Sequence, residues 1–312
     1  MRYLSLQGVF LLCALSSLVL TSGCAKQPRA VAFVPVAEQD LVEVDTDKKL
    51  ENLSLEALIS KGRIYLEQEN LPLAHLHLSK ALTKTSDSDN VELYQLMGEL
   101  FMKQNQLDKA KTTFSKVHEL SPQNQPALLG LGKIYRLEGD CAKAENYLQQ
   151  ARYLTPNNPD VLTELAICYD ALEQRAKAEK YYLWVVNLQP VNPSSFNNLG
   201  FHYLIHGAYP QAIKAFLAGT KWKREDRLIK NNLAAAYILN GDEAQGLSLF
   251  TNSIGQAGAY NNVGYIYMVQ NRLQEAETAF AKALELSPRY YVKAANNLDY
   301  LKSLSAHKNT QP

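Results

Sequence analysis

Apolar residues return along this chain in a pattern that repeats about every 34 positions. From Gly264, a tyrosine follows three positions later at Tyr267, an alanine twelve positions later at Ala276 and a phenylalanine sixteen positions later at Phe280. A proline, Pro288, closes the stretch. Residues spaced by three, four or multiples of a helical turn share one helix face, and proline ends a helix. The pattern therefore predicts two antiparallel helices that pack face to face.

The same frame occurs seven times. A small residue lets the two helices approach closely, aromatic residues fill the space between them, and alanine allows the second helix to pack tightly. The sixth unit departs from the frame, because Gly246 replaces the second-helix alanine and the interval from Ala234 to Gly264 is 30 residues rather than 34. The link between units six and seven is therefore predicted to be about four residues short. The predicted units are residues 55–90, 91–124, 125–158, 159–192, 193–226, 227–256 and 257–290.

The order of small residue, tyrosine, alanine, aromatic, alanine and proline resembles the tetratricopeptide repeat. The resemblance implies an all-α fold, a right-handed superhelical solenoid of about seven helix pairs. Each repeat of a solenoid buries its apolar face only against its neighbours, so the last repeat needs a cover. Residues 291–304 are predicted to be that C-terminal capping helix, and residues 305–312 a disordered tail.

Composition and charge narrow the function. The chain has 312 residues, of which 46% are hydrophobic, and a formal net charge of +1. Nucleic-acid binding needs a concentrated basic face, so no nucleic-acid partner is expected. The chain contains no HExxH or GxSxG motif and no glycine-rich phosphate loop. We therefore expect no enzyme activity, no cofactor and no small-molecule substrate.

The N-terminus resembles a bacterial lipoprotein signal. A positive residue, Arg2, precedes an apolar run over residues 9–20, and the sequence LTSGC follows. Residues 1–23 are predicted to be removed and Cys24 to carry lipid. Two or more acyl chains anchor a protein stably where one does not. The alternatives are an ordinary secretory signal and an uncleaved anchor.

The residue after the lipidated cysteine bears on location. In Gram-negative lipoproteins an aspartate there commonly retains the protein at the inner membrane, and this chain has Ala25. The resemblance therefore implies an outer-membrane lipoprotein that faces the periplasm. Residues 24–54 contain two prolines and no helical periodicity, so they are predicted to be the lipidated cysteine and a flexible tether.

Paired asparagines recur in the last repeats, at the fifth and sixth positions of the first helix. Sixth-position asparagine is typical of these repeats and is interpreted as structural. Fifth-position residues face the concave groove in proteins of this family, so an amide row with apolar walls is predicted to bind a partner protein. The alternative is that the terminal helix, or the superhelix itself, covers this surface. The predicted groove residues are Asn197, Phe201, Leu204, Ile205, Leu228, Asn231, Ile238, Leu239, Asn261, Tyr265, Met268 and Val269.

Two further residue pairs carry possible chemistry. His202 and His206 have the spacing of metal ligands on one helix face, but no third ligand has matching spacing, so no metal site is expected. Cys141 and Cys168 are predicted to lie on neighbouring antiparallel helices. An exported protein meets an oxidising compartment, so they form either a disulfide or a pair of buried thiols.

From Asn231 to Leu301 the chain resembles TadD-type lipoproteins of tight-adherence (Flp/Tad) pilus assembly. The segments NNLAAAY, AYNNVGYIYMVQNRLQEAETAFAKALELSP and RYYVKAANNL carry the resemblance. It implies a lipid-anchored periplasmic scaffold that helps a pilus secretin localise or assemble, with envelope proteins as partners. The alternatives are an adaptor for a peptidoglycan synthase or a protease, a type IV pilus pilotin and, less favoured, an enzyme or metal-binding protein.

Overall fold

A computed structural model describes residues 50–85, 90–287 and 292–308. The predicted signal 1–23, the lipidation site Cys24 and residues 24–49 of the predicted tether lie outside the described residues, as do residues 288–291 and 309–312. In the described part of the chain, no helix has both the length and the apolar character that a bilayer crossing requires.

The described residues form fifteen α-helices and no strands. Fourteen of them make seven consecutive pairs, and the fifteenth follows alone, which confirms the predicted all-α fold of seven helix pairs and a terminal helix. The helices are α1 Leu55–Glu67, α2 Leu71–Lys84, α3 Val91–Lys103, α4 Leu107–Leu120, α5 Gln125–Leu137, α6 Cys141–Leu154, α7 Pro159–Ala171, α8 Arg175–Leu188, α9 Pro193–Ile205, α10 Tyr209–Thr220, α11 Arg227–Leu239, α12 Glu243–Ile254, α13 Gln256–Val269, α14 Leu273–Leu286 and α15 Val292–Lys308.

In most pairs, the first helix begins after a polar residue whose side chain caps its N-terminus. The Asn158 side chain accepts hydrogen bonds from the backbone N–H groups of Asp160 (2.9 Å) and Val161 (3.3 Å). Such a cap satisfies donors that have no partner inside the helix. The corresponding caps of α1, α3, α5, α9 and α11 are Ser54, Asn90, Asn124, Asn192 and Asp226.

The two helices of each pair are joined by a turn with one left-handed residue. The N–H that follows it reaches back to the carbonyl of an aromatic residue, as Gln174 does to Tyr169 at 2.8 Å. This is the Schellman arrangement that ends many helices. The left-handed residues of the seven turns are Glu69, Asn105, Gly139, Glu173, Gly207, Gly241 and Asn271.

Close packing explains the small residue of the repeat frame. A Cβ placed on Gly98 would lie 2.6 Å from the Phe114 ring, and one on Gly264 would lie 2.8 Å from the Phe280 ring. Both rings are fully buried. Because a side chain at either glycine would displace an aromatic ring, the small residue is a requirement of the helix pair.

A single residue links the sixth and seventh pairs. Helix α12 ends at Ile254 and α13 begins at Gln256, with Gly255 between them at φ 79° and ψ 164°. Only glycine adopts this backbone region readily. The predicted short link is therefore present, and the seventh pair begins one residue before the predicted position.

The chain divides into two compact units. The N-terminal unit comprises residues 50–184 of the described chain and the C-terminal unit residues 185–308. Within the C-terminal unit, α15 packs on the seventh pair and buries Leu301 in an apolar cluster with Tyr265 and Met268. Helix α15 continues to Lys308, so the predicted tail 305–312 begins inside this helix.

Candidate protein-binding site

The three fifth-position asparagines lie inside the helix packing. Only 9% of Asn197, 3% of Asn231 and 4% of Asn261 is exposed. The expectation that they form a row of amides on an open surface is therefore wrong. The next element in the C-terminal unit covers each of them, since first helices of successive pairs also pack against one another.

Two of these asparagines are hydrogen-bonded between successive repeats. Asn232 donates from Nδ2 to Oδ1 of Asn197 at 2.9 Å, and Asn297 on α15 donates to Oδ1 of Asn261 at 3.0 Å. In both pairs a sixth-position amide donates to the fifth-position amide of the preceding helix of this type. These two contacts therefore connect neighbouring repeats, and they involve one asparagine from each of four NN pairs.

The middle amide contact is missing. By the same rule Asn262 would donate to Asn231, but the Asn231 Oδ1 atom is buried and has no hydrogen-bond partner. Asn262 instead accepts from its neighbour Asn261 at 3.4 Å. The one-residue link at Gly255 lies between these repeats and shortens the sequence separation of the two amides. The missing contact therefore occurs where the link between two pairs is shortest.

The apolar walls of the predicted groove are also largely covered. Leu204, Ile238, Tyr265 and Met268 are buried in the core clusters of the C-terminal unit. The terminal helix contributes to this cover, as the alternative interpretation of the sequence proposed. The groove residues that stay partly exposed are Phe201, Ile205, Leu228, Leu239 and Val269.

Three of the partly exposed residues form a regular set. Ile205, Leu239 and Val269 are the last residues of α9, α11 and α13, the first helices of three successive pairs. Each packs on the same apolar cluster from its edge. The part of the predicted groove that a partner can reach is therefore a narrow aliphatic row at these helix ends, and partner binding there stays a prediction.

A larger open groove crosses the surface of α12, α13 and α14. It has a volume of about 1090 Å³, and its floor includes Tyr260, Val263 and Tyr267 on α13. Leu247 on α12 and Ala281 on α14 stand on its two sides. Apolar floors with polar rims are typical of binding sites. The sequence prediction missed this groove because its floor residues belong to the repeated spacing that packs the helix pair and not to the predicted concave positions.

The rim of this groove is acidic. Its lining includes four glutamates and one lysine, Lys282, which pairs with Glu285 at 2.9 Å. The four glutamates are Glu243, Glu275, Glu277 and Glu285. Arg272 offsets part of this charge, because it pairs with Glu243 and Glu275. Four glutamates against these two cations still leave the groove net negative, which favours an occupant with an apolar face and basic flanks.

One end of the groove is held by a charged cluster around Tyr267. Arg272 lies 4.0 Å from the centre of the Tyr267 ring and hydrogen-bonds to both Glu243 and Glu275. Burial, together with the hydrogen bond to Glu243, raises the pKa of Tyr267 to about 12. The hydrogen bond that the Tyr267 hydroxyl donates lowers the pKa of the Glu243 carboxyl. The hydroxyl therefore stays protonated and Glu243 ionised near neutral pH, so this end of the groove is a hydrogen-bonded polar cluster.

Cys141 and Cys168 come together within the N-terminal unit as two buried free thiols. Burial raises the pKa of the Cys168 thiol, and a hydrogen bond with Cys141 raises it further. A thiol with a raised pKa forms little thiolate and reacts slowly. The disulfide stays a prediction that the mass of the oxidised protein tests.

Two histidines and an ion pair complete the polar residues that the sequence singles out. His202 is buried, and its ring centre lies 4.7 Å from that of His206. In the N-terminal unit Arg136 donates from Nε to Glu164, an ion pair that is mostly removed from solvent. A buried charge needs such a partner, so this pair joins α5 to α7 and is no free binding group.

Comparison with known proteins agrees with the fold. Residues 96–159 and residues 257–290 each match a profile of the tetratricopeptide repeat. A search of curated protein sequences finds no match. The matched profiles and the fifteen helices together define the fold as a tetratricopeptide-repeat solenoid, a class that generally serves protein–protein interaction rather than catalysis.

Solved structures show the same fold at low sequence identity. A tetratricopeptide repeat protein from Parabacteroides merdae ATCC 43184 is 18% identical with a TM-score of 0.58, over 80% of this chain and 98% of that one. A chain of the APC/C hetero-tetramer Cut9-Hcn1 has 17% sequence identity and a TM-score of 0.60, and the match covers 84% of this chain and 51% of that one. Pseudomonas aeruginosa pilF has 17% sequence identity and a TM-score of 0.52, and the match covers 68% of this chain and 96% of that one. These likenesses concern the fold alone.

Proposed function

We propose that this protein is a lipid-anchored scaffold at the outer membrane that faces the periplasm and binds a segment of another envelope protein. We further propose that it helps the secretin of an Flp/Tad pilus to localise or assemble. The lipobox-like LTSGC run before Ala25 supports the anchor, and the resemblance over residues 231–301 supports the pilus role.

The open groove on α12, α13 and α14 is the observation that carries the binding role. Its apolar floor at Tyr260 and Val263 can hold nonpolar side chains, and its glutamate rim suits lysine or arginine at their flanks. An amphipathic helix with basic edges presents this combination. We infer that the bound segment of the partner is such a helix.

Filling the groove tests this proposal. Ala244 and Ala281 are exposed on its two sides, so Ala244→Gln with Ala281→Gln adds bulk without charge. In a deletion strain complemented with this variant we expect few or no surface pili and unchanged pilin expression. The matched control is Ala142→Gln with Ala176→Gln. Both residues are exposed and occupy the repeat position of Ala244 on α6 and α8, so this variant should restore pili.

The anchor and the partner are tested separately. Cys24→Ser should move the protein from the outer-membrane fraction to the soluble periplasm and reduce piliation. A photo-crosslinking residue at Thr278, on the groove wall, should capture the secretin, whereas one at Tyr153, which is 86% exposed on α6, should not. Normal piliation of the deletion strain contradicts the pilus role. Capture of a peptidoglycan synthase or a protease instead assigns the scaffold to that machine.

A further inference from the structure

An exposed tryptophan stands among basic residues in the turn between α10 and α11. Trp222 is 54% exposed, and Lys221, Lys223 and Arg224 beside it are also exposed. Tryptophan is costly to leave in water, because its large ring is mostly apolar. The repeat pattern does not require a tryptophan in this turn. Packing of the fold therefore does not explain why Trp222 is present.

A second apolar residue lies at the same end of this helix pair. Val191, in the turn before α9, is 59% exposed. A Cβ placed on Gly219, near the end of α10, would stand 3.4 Å from the carbonyl oxygen of Pro193 and 3.3 Å from the Cβ of Phe196. The last turn of α10 thus packs against the first turn of α9. Val191 and Trp222 therefore project from one end of the fifth pair.

The charge around Trp222 is strongly positive for this chain. Residues 221–230 contain five basic and two acidic residues, a net charge of 5 − 2 = +3, whereas the whole chain carries +1. Both acids are engaged: Glu225 pairs with Lys230 at 2.7 Å, and Asp226 caps α11 and pairs with Lys223 at 3.1 Å. No described acidic residue pairs with Lys221.

We propose that this basic edge, comprising Val191, Lys221, Trp222, Lys223 and Arg224, contacts an anionic phospholipid surface. Tryptophan concentrates at the boundary between lipid and water, and each lysine or arginine near an anionic leaflet strengthens the contact about fivefold. The edge combines an exposed aromatic ring and an exposed aliphatic side chain with exposed cations, a combination that suits the boundary of an anionic lipid surface. A stable protein interface needs about 1,000 Å² or more with good complementarity.

The emission of Trp222 tests the contact. The chain has two tryptophans, so Trp184→Phe leaves Trp222 as the only one. The full chain is reconstituted into vesicles of phosphatidylcholine, or of phosphatidylcholine with phosphatidylglycerol, whose acyl chains carry bromine as a quencher. We expect the fluorescence of Trp222 to be quenched in the mixed vesicles. In phosphatidylcholine alone, or in high salt, the fraction of protein whose Trp222 is quenched should be at least tenfold smaller.

Charge reversal provides the matched comparison. Lys221→Glu with Arg224→Glu should abolish the quenching. Arg175→Glu with Lys180→Glu changes the net charge equally at exposed positions of α8 and should preserve it. An unquenched Trp222, or equal quenching in both lipid mixtures, overturns the proposal. So does a shift of Trp222 emission by soluble polyglutamate without quenching by lipid, which assigns the edge to an acidic protein segment. None of these readouts depends on piliation, so the proposal can fail while the scaffold role stands.

Discussion

Asparagine 197 and asparagine 231 occupy the same position of successive repeats but have opposite surroundings. Asn197 accepts a hydrogen bond from Asn232, whereas the Oδ1 atom of Asn231 is buried without a partner. A buried polar atom without a hydrogen bond costs about 1–3 kcal/mol, while a satisfied one contributes modestly to stability. The Asn197 amide therefore stabilises the fold, whereas the buried oxygen of Asn231 destabilises it.

The same substitution at both positions tests this difference. Asn197→Ala leaves the Asn232 amide without its acceptor and should lower the free energy of unfolding by about 1–3 kcal/mol. Asn231→Ala removes an unsatisfied oxygen and should be close to neutral. Urea unfolding followed by circular dichroism, with hydrogen exchange of α9 and α11, measures both. Equal losses for the two variants would contradict the assignment of the amide contacts.

The sequence predicted the repeat positions of these residues but not their exposure. Position in the repeat follows from spacing, and spacing identified the sixth-position asparagines as structural. Whether a fifth-position side chain meets solvent depends on how closely the next helix approaches. That distance depends on contacts made by other repeats, such as Leu301 on α15, and the spacing of one repeat carries no information about them.

At the scale of elements, the turns inside the pairs and the link between pairs six and seven follow different rules. The seven turns inside pairs accept glycine, asparagine or glutamate at the left-handed residue, with Glu69 and Glu173 both at φ 58°. Backbone hydrogen bonds therefore define these turns more than residue type does. The link at Gly255 has a conformation that only glycine adopts readily.

Alanine substitution should cost more stability at the Gly255 link than at a turn inside a pair. Gly255→Ala forces strain of about 1–3 kcal/mol into the link, although no atom lies within 4 Å of the added Cβ. Gly139→Ala places alanine in a turn whose counterparts are occupied by glutamate and asparagine, and it should cost about 1–2 kcal/mol at most. Thermal melts and hydrogen exchange of α12 and α13 give the comparison. A Gly255→Ala protein as stable as Gly139→Ala would show that the link relaxes freely.

The link length was predictable because the interval of 30 residues stands out against 34. The absence of the amide contact between Asn231 and Asn262 was not predictable, since the distance between two side chains on neighbouring helices does not follow from the length of the link. The open groove beside α13 was missed for a related reason. Its floor residue Tyr267 reads as an ordinary aromatic of the helix pair, and only the structure shows that its surroundings are open.

At the scale of the molecule, the C-terminal unit ends on a helix that closes its apolar surface. Helix α15 buries Leu301 to 2% exposure and supplies Asn297 to Asn261. Each repeat of a solenoid buries its apolar face against its neighbours, and this helix supplies such a contact to the seventh pair. That role followed from the sequence, because a repeat array implies an uncovered end.

A charge at the centre of this contact should loosen the whole end of the unit. Leu301→Glu loses the burial of leucine and places a carboxylate in an apolar cluster, at a cost of several kcal/mol. We expect faster hydrogen exchange in α13 and α15 and a tendency to aggregate that light scattering detects. Lys302→Glu changes an exposed neighbour and should leave both readouts unchanged. Protection of α13 that survives Leu301→Glu would mean that α15 is not the cover.

The one-residue link at Gly255 also limits what a partner can contact at the junction of the sixth and seventh pairs. Pairs five and six begin 34 residues apart, at Pro193 and Arg227, whereas the seventh begins 29 residues after the sixth, at Gln256. The link between the sixth and seventh pairs is thereby reduced to the backbone of Gly255. A partner that reaches this place meets residues of α12 and α13 and no side chain of the link.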